Sequence, residues 1–298
     1  MVIGNQGKYK AYKVVLHTFF IIMSSSFIIP LLAVISISLS NEVDIENYGF
    51  RLIPKNIDIS AYSYIFKNPD IIVSAYKVTI ITTLIGTLLY LIMASMCAYP
   101  LSRRDFKYRN TITFYLFFTM LFNGGLVPYY IMMTKYFHLR DTYAALILPL
   151  LSNVWYVLLM RTFFQQLPTS IIESATIDGA SEFKIYIKMI IPLSTPVLAT
   201  VGLLQLLNFW NSWYPALLYV NNDKMYPLQY LLQVMLRNIQ DILDNMEKGV
   251  GDLLQANQLP TESTRMAMCI LAVGPMLFIF PFFQKYFSKG LTVGSVKG

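Results

Sequence analysis

Hydrophobic positions fall along this chain in long uninterrupted blocks. Six blocks approach or exceed the roughly 20 helical residues needed to cross a hydrocarbon core about 30 Å thick. They are Val14–Ser40, Ile71–Leu101, Thr111–Thr134, Thr142–Phe164, Ser194–Val220 and Arg265–Phe283. In lipid every backbone N–H and C=O must be satisfied within the protein, so such blocks read as helices. The pattern predicts an all-α integral membrane protein with six transmembrane helices in a single domain, 1–298. Pro30, Pro100, Pro149, Pro196, Pro215 and Pro275 lie in or at the ends of these blocks. Proline is tolerated there because neighbouring helices re-satisfy the freed carbonyls. The first block follows Lys8, Lys10 and Lys13, as a signal peptide's would. Its apolar run far exceeds the about 7–15 residues of a signal core, so it reads as a retained span.

Between blocks the pattern changes. After Pro227, apolar residues recur as Leu228, Leu231, Leu232, Met235, Leu236, Ile239, Ile242, Leu243 and Met246, a helical stripe. Asp241, Asp244, Glu247 and Lys248 fall largely off it, and Gly249 is a stop signal. This amphipathic helix lies in a long loop, 221–264, and is expected to cover the ends of the spans. The loop 165–193 is punctuated differently. Ser170 followed by Glu173 reads as a capping box, in which each side chain bonds the other's backbone N–H. Gly179 stands where a helix stop needs a left-handed residue. A second short helix over Ser181–Ile191 would carry Phe183, Ile187 and Ile190 on one face and Lys184 and Lys188 on another. The loop therefore reads as a rigid helix–turn–helix.

Composition sharpens the class. Of 298 residues, 56% are hydrophobic and 13% charged, against about 25% charged in soluble domains. Mean hydropathy is +0.53. A disordered chain and a nucleic-acid-binding chain are excluded, and a water-soluble enzyme is disfavoured. The net charge of +7 matters through its placement. With the N-terminus inside, the inner segments hold 13 of the 23 Lys and Arg but four of the 16 acids. The loop Arg103-Arg104-Asp105-Phe106-Lys107-Tyr108-Arg109 contributes most to that bias. Both termini are then expected in the cytoplasm.

Candidate chemistry is sparse. No Asp or Glu lies in the six blocks, and Lys77 and Arg161 sit near block ends. Ion-coupled carriers normally keep ionisable groups at mid-membrane. No G-x-x-x-x-G-K-[ST] phosphate loop, H-E-x-x-H or G-x-S-x-G motif occurs. Cys97 and Cys269 each lie in an apolar block, and His17 and His138 are far apart in sequence, so neither a disulfide framework nor a metal site is expected. Uphill transport by this chain would need an engine on another polypeptide.

The residues of the 165–193 loop carry a resemblance. Glu173-Ser174-Ala175, Asp178-Gly179-Ala180 and Ile191-Pro192 resemble the EAA loop of membrane subunits of ATP-binding-cassette (ABC) importers. Ser174 and Ile191 depart from the usual alanine and leucine. Met160-Arg161-Thr162-Phe163-Phe164, Trp210-Asn211-x-Trp213, Phe283-Gln284-Lys285-Tyr286-Phe287 and Gly294-Ser295-Val296-Lys297-Gly298 are similar to the carbohydrate-uptake branch, as in the maltose permease second subunit. Phe122-Asn123-Gly124-Gly125-Leu126-Val127-Pro128 resembles the lipoprotein-linked polysaccharide-uptake subgroup.

The resemblance implies a type I ABC importer permease fold in a bacterial cell membrane, surrounded by membrane lipid. It implies a second homologous permease as heterodimer partner, a cytoplasmic ATPase dimer and an extracellular solute-binding lipoprotein. No cofactor is expected in this chain, since ATP and Mg would be held by the ATPase. Glu173, Ser174, Ala175, Asp178, Gly179 and Ala180 would form the ATPase-coupling element. Val250–Thr264 would face the binding protein.

For a carbohydrate pathway the candidates are Asn123 and, in the fifth block, Asn208, Trp210, Asn211, Trp213 and Tyr214, with Gln205 and Phe209 nearby. Amides beside aromatic faces suit sugar hydroxyls and rings. Asn208 and Asn211 are three apart and Trp210 and Tyr214 four apart, which places each pair on one helix face. The same residues would equally serve interhelical hydrogen bonds and an interfacial aromatic belt. Two other classes are weaker. A self-contained secondary carrier should have an internal repeat and buried coupling charges. An intramembrane enzyme should have a catalytic constellation.

Overall fold

The computed structural model describes residues 6–247 and 261–293. Among them the regular structure is helical, and one isolated antiparallel bridge joins Ser40 to Ile57. The segments 250–260 and 294–298, which held most of the expected binding-protein contact and the C-terminal motif, lie outside the described residues. So does the Gly249 stop.

Three helices are long and apolar enough to cross a membrane, and three bent helix pairs raise that number to as many as six. α1 is Gln6–Ser38, α4 Pro69–Ser102 and α15, the last helix, Glu262–Val293. Each coincides with an apolar block, because nothing in those sequences breaks a helix outright. Pro30, Pro100, Pro275 and Pro281 are carried inside them.

The middle blocks differ from the continuous helices that the sequence predicts. In Thr111–Thr134, α5 (Arg109–Leu121) and α6 (Leu126–Ile131), with its π-helical continuation Met132–Tyr136, meet at 107°. The reason is local. Gly125 has φ +90°, and Asn123 Oδ1 accepts from the Gly125 N–H at 2.8 Å, closing a turn where a helix would run. In Thr142–Phe164, α7 (Tyr143–Ile147), a 3-10 turn Leu148–Ser152 and α8 (Val154–Phe164) bend by 52° around Asn153. The freed carbonyls find partners on other helices. Tyr90 Oη donates to the Asn153 carbonyl at 2.5 Å, and Gln205 Nε2 donates to that of Leu150 at 2.7 Å. Without these donors the bend would leave unpaired carbonyls in an apolar layer.

The fifth block is also divided. α12 runs Thr195–Trp210, and α13 (Tyr214–Tyr219) begins anew around Pro215. The proline takes the N-terminal position of a fresh helix, where its missing N–H costs nothing. Ahead of α12, α10 (Glu182–Ile185), a π-helical turn Tyr186–Ile190 and α11 (Ile191–Leu193) meet it at 78°.

The connections 41–68 and 221–247 are helical too: α2 (Glu42–Tyr48), α3 (Ser60–Ile65) and α14 (Leu228–Glu247). α14 follows the predicted stripe. Leu228, Leu231, Leu232 and Ile239 are buried, and Pro227 supplies the first carbonyl, at 2.9 Å from the Leu231 N–H.

Contacts divide the chain into two compact units. One comprises Met1–Pro69 and Val234–Gly274, the other Asp70–Gln233 and Pro275–Gly298. In the first, the Glu42 carboxylate accepts from Thr261 Oγ1, the backbone N–H groups of Glu262 and Ser263, and Ser263 Oγ, at 2.7–3.1 Å. An acid thus caps the N-terminus of α15 from a distant part of the sequence, where the helix dipole favours negative charge. In the second, a core of Tyr90, Ala94, Ala98, Met160, Phe164, Ile172, Ala175, Ile185, Ile190 and Val201 joins α4, α8, α12 and the 165–193 loop.

Candidate functional site

The 165–193 loop folds as a helix–turn–helix. α9 spans Thr169–Ile177. Its start differs from the predicted capping box. Pro168 is the N-cap, no side chain caps the helix, and Ser170 lies inside the first turn. Ser170 instead accepts, through its carbonyl, from Ser174 Oγ at 2.8 Å. Proline's fixed φ already suits the entry, so the helix begins two residues before the box would allow.

The end of α9 is closed by backbone. Gly179 has φ +75°. Its N–H bonds the Thr176 carbonyl, and the Ala180 N–H reaches back to the Ala175 carbonyl, each at 3.0 Å. These are the two bonds of a Schellman motif, and Ala175 and Ala180 share one hydrophobic cluster beneath it. Ala175 is buried, while Glu173, Ser174, Asp178 and Ile177 are exposed, Ile177 at 86%. The helix therefore packs on its alanine face and presents the others outward.

The second half of the loop is held against α4. Ser181 caps α10, accepting from the Lys184 N–H at 3.4 Å. Tyr99 Oη donates to Glu182 Oε2 at 2.6 Å, and the Tyr186 and Ser95 hydroxyls share a hydrogen bond of 2.7 Å. Arg103 reaches Glu182 at 3.5 Å and Asp105 at 3.0 Å. Its hydrogen bonds hold the Asp105 carboxyl below the ordinary carboxylate range. The inward face is Ile185, Tyr186 and Ile190, whereas Phe183 and Ile187 are exposed. That departs from the predicted Phe183–Ile187–Ile190 face, because the π-helical turn at Tyr186–Ile190 inserts an extra residue and rotates the register.

The pathway candidates do not converge. Asn123 is exposed and occupied by its own turn. Asn208 Nδ2 donates to Gln205 Oε1 at 3.5 Å. Asn211 caps α12, donating to the Leu207 carbonyl at 2.9 Å and accepting from Gln229 Nε2 at 3.4 Å. Trp210 is 3% exposed, while Trp213 and Tyr214 are exposed and in edge contact at 5.7 Å. The expected Trp210–Tyr214 face is absent because α12 ends between them. Trp213 and Tyr214 are the accessible rings of the set, and Asn123 and Asn211 are its accessible amides.

Sequence reading missed the Tyr99, Glu182, Tyr186 and Ser95 contacts. Their partners are 83 and 91 residues apart, and no local period reports them. The one available signal was Tyr99, a polar-tipped side chain at the end of an apolar block. Among the described residues no group of His, Cys, Asp or Glu could hold a metal ion.

A family model described as the binding-protein-dependent transport system inner membrane component matches residues 91–293. The chain is 35% identical over 291 residues to the polygalacturonan/rhamnogalacturonan transport system permease protein YtcP of Bacillus subtilis, spanning 98% of this chain and 100% of that protein. It is 38% identical to protein LplC of the same organism over 91% of this chain and 90% of that one. Its fold matches the crystal structure of a bacterial ABC transporter involved in the import of the acidic polysaccharide alginate. The TM-score is 0.77 at 28% identity, over 93% of this chain and 97% of that chain. These matches cover the helix–turn–helix and its supports, and the chain belongs to the family of inner membrane components of binding-protein-dependent transport systems.

Proposed function

We propose that the chain is the permease subunit of an importer for a sugar or oligosaccharide, supplying half of the translocation pathway. The relatives carry carbohydrate in their names: polygalacturonan and rhamnogalacturonan, arabinooligosaccharides, and trehalose or maltose. A second permease completes the pathway, an extracellular lipoprotein delivers substrate, and a cytoplasmic ATPase dimer holds ATP and Mg. Both termini and the 165–193 loop face the cytoplasm of a bacterial cell, consistent with the basic bias of the termini and of the 103–109 loop assigned to the same side.

The observation that carries this reading is the construction of the loop. α9 is closed by the Gly179 turn, packed through Ala175, and continued by a segment fixed to α4 through Glu182 and Tyr186. Such an element transmits a push as a rigid body. In this role Glu173, Ser174 and Asp178 meet the ATPase, and Ala175, Gly179 and Ala180 shape the element. Asn123, Asn208, Trp210, Asn211, Trp213 and Tyr214 line or support the pathway; the exposed Trp213 and Tyr214 offer ring faces to sugar.

Reconstitution in proteoliposomes tests the assignment. Labelled oligosaccharide should accumulate only when the partner permease, ATPase, binding protein and ATP are all present. Accumulation by this chain alone under an ion gradient would instead identify a secondary carrier. Orientation is read separately. In a cysteine-free background, Ile177→Cys should react with an impermeant maleimide in inside-out vesicles and be protected in intact cells. The reverse pattern contradicts the topology.

A further inference from the structure

A cavity lies beside the helix–turn–helix and is not explained by coupling. Its volume is about 640 Å³. Its walls come from the end of α4, the short loop after it, the first residue of α5, the end of α8 with Gln165 and Leu167, and α9. Arg103, Arg104 and Arg109 line it, with Asp105 and Glu173 as the carboxylates. The charges do not cancel locally. Asp105 is taken by Arg103. Among the described residues neither Arg104 nor Arg109 has a carboxylate within salt-bridge reach, and Glu173 has no cation within it. Arg109 donates to its neighbour Asn110 at 3.4 Å. Two guanidinium groups therefore share a roomy cavity with one unpaired carboxylate, Glu173, which leaves it net positive. Guanidinium forks match phosphate oxygens in geometry and charge.

Position selects the source of the phosphate. Ser102, on the cavity wall, is the last residue of α4, a helix long and apolar enough to cross a membrane. Arg109 opens α5, half of a bent pair that also meets that test. A six-residue loop, 103–108, joins them, so the cavity sits where two apolar helices emerge. That is headgroup depth. Just beyond, on the side of α5 that Arg109 opens, Ile112 and Met120 are 37% and 42% exposed, an apolar track for acyl chains. A free anion would have no use for that track.

We infer that this cavity binds the phosphate headgroup of an anionic phospholipid through Arg104 and Arg109, with its acyl chains along α5. The site needs only that α4 and α5 cross the membrane. It is independent of the transport assignment and of which termini face inward. Since α9 forms one wall, a bound headgroup would also steady the base of that helix.

The test is lipid retention by the assembled transporter in nanodiscs, read by native mass spectrometry without ATP or substrate. Phosphatidylglycerol should remain bound where phosphatidylcholine is lost. The double variant Arg104→Gln/Arg109→Gln should weaken retention about 30-fold, from the attraction of two basic side chains to an anionic surface. Arg104→Lys/Arg109→Lys should keep most of it, which preserves a readout where the neutral variant fails to assemble. Equal retention of the two lipids, or undiminished binding of phosphatidylglycerol to the neutral variant, overturns the proposal. Release of the lipid by excess inorganic phosphate would identify a free-anion site instead. Loss of the ATPase with lipid retention unchanged would mark the arginines as a protein-docking surface.

Discussion

Replacing Gly179 by valine puts a β-branched side chain at a backbone position whose φ is +75°. A Cβ built there meets nothing within 4 Å, so crowding is not the obstacle. The cost is conformational, about 1–2 kcal/mol for an L-residue held in the left-handed region and more for a branched one. If the chain escapes that strain, the two backbone bonds closing α9 are lost at about 1 kcal/mol each. Either route lowers the population of the closed turn by roughly 5–30-fold. Asparagine tolerates the left-handed region and finds open space here, so Gly179→Asn should retain most function. The assay compares uptake with ATP hydrolysis in proteoliposomes for the valine, alanine and asparagine variants. The expected order of uptake is glycine, asparagine, alanine, valine, with ATP hydrolysis falling less than uptake. Normal transport by the valine variant, or equal loss with asparagine, would refute the claim that backbone conformation at 179 shapes the coupling element.

Other outcomes follow from the same contacts. Burial pushes the Glu42 carboxyl up, but hydrogen bonds from the Ser263 side chain, the Glu262 and Ser263 backbone and Thr261 bring it below its ordinary 4.5. A lowered folded-state value means the cap is fully present above about pH 4.5 and is lost as pH falls below it. Glu42→Ala should therefore cost about 2–4 kcal/mol at neutral pH, while Glu42→Gln should lower Tm and flatten its acid limb, both read by thermal melts across pH. At Gly86 an added Cβ would stand 2.4 Å from the Phe209 ring. Gly86→Ala should destabilise by about 1–3 kcal/mol, and Phe209→Leu should partly rescue it in the same melts. Tyr99→Phe removes the donor to Glu182 and should raise proteolysis of the 165–193 loop without changing membrane insertion.

How much could be read in advance depended on where the information lay. α4 was legible because 34 residues run with an internal proline only near the end, at Pro100, and α14 because its buried residues keep the helical period. The division at 122–125 had a visible cause in Asn123-Gly124-Gly125, yet a glycine pair reports a break and not its angle. The bend at Asn153 had only Pro149 as a local sign, and a proline does not report whether a span kinks or breaks. The bend depends on Tyr90 and Gln205 arriving from other helices to take carbonyls that the sequence alone assigns to a straight helix. The early end of α12 at Trp210 carries no glycine or proline, and Pro215 marks the next start more than the previous stop. At the site, the Gly179 turn was foreseeable from residue type. The capping box was not realised because Pro168 had already fixed the helix entry.

Ser95 and Tyr99 stand one turn apart on α4, and their partners Tyr186 and Glu182 stand four residues apart on the opposing segment, in reverse order. The two contacts are rungs of an antiparallel ladder with matched spacing. Slippage by one turn would vacate both rungs together, whereas rocking about the line through them disturbs neither. These rungs resist creeping along the neighbour more than tilting about it, so a push on the segment would be passed on as rotation rather than lost as sliding.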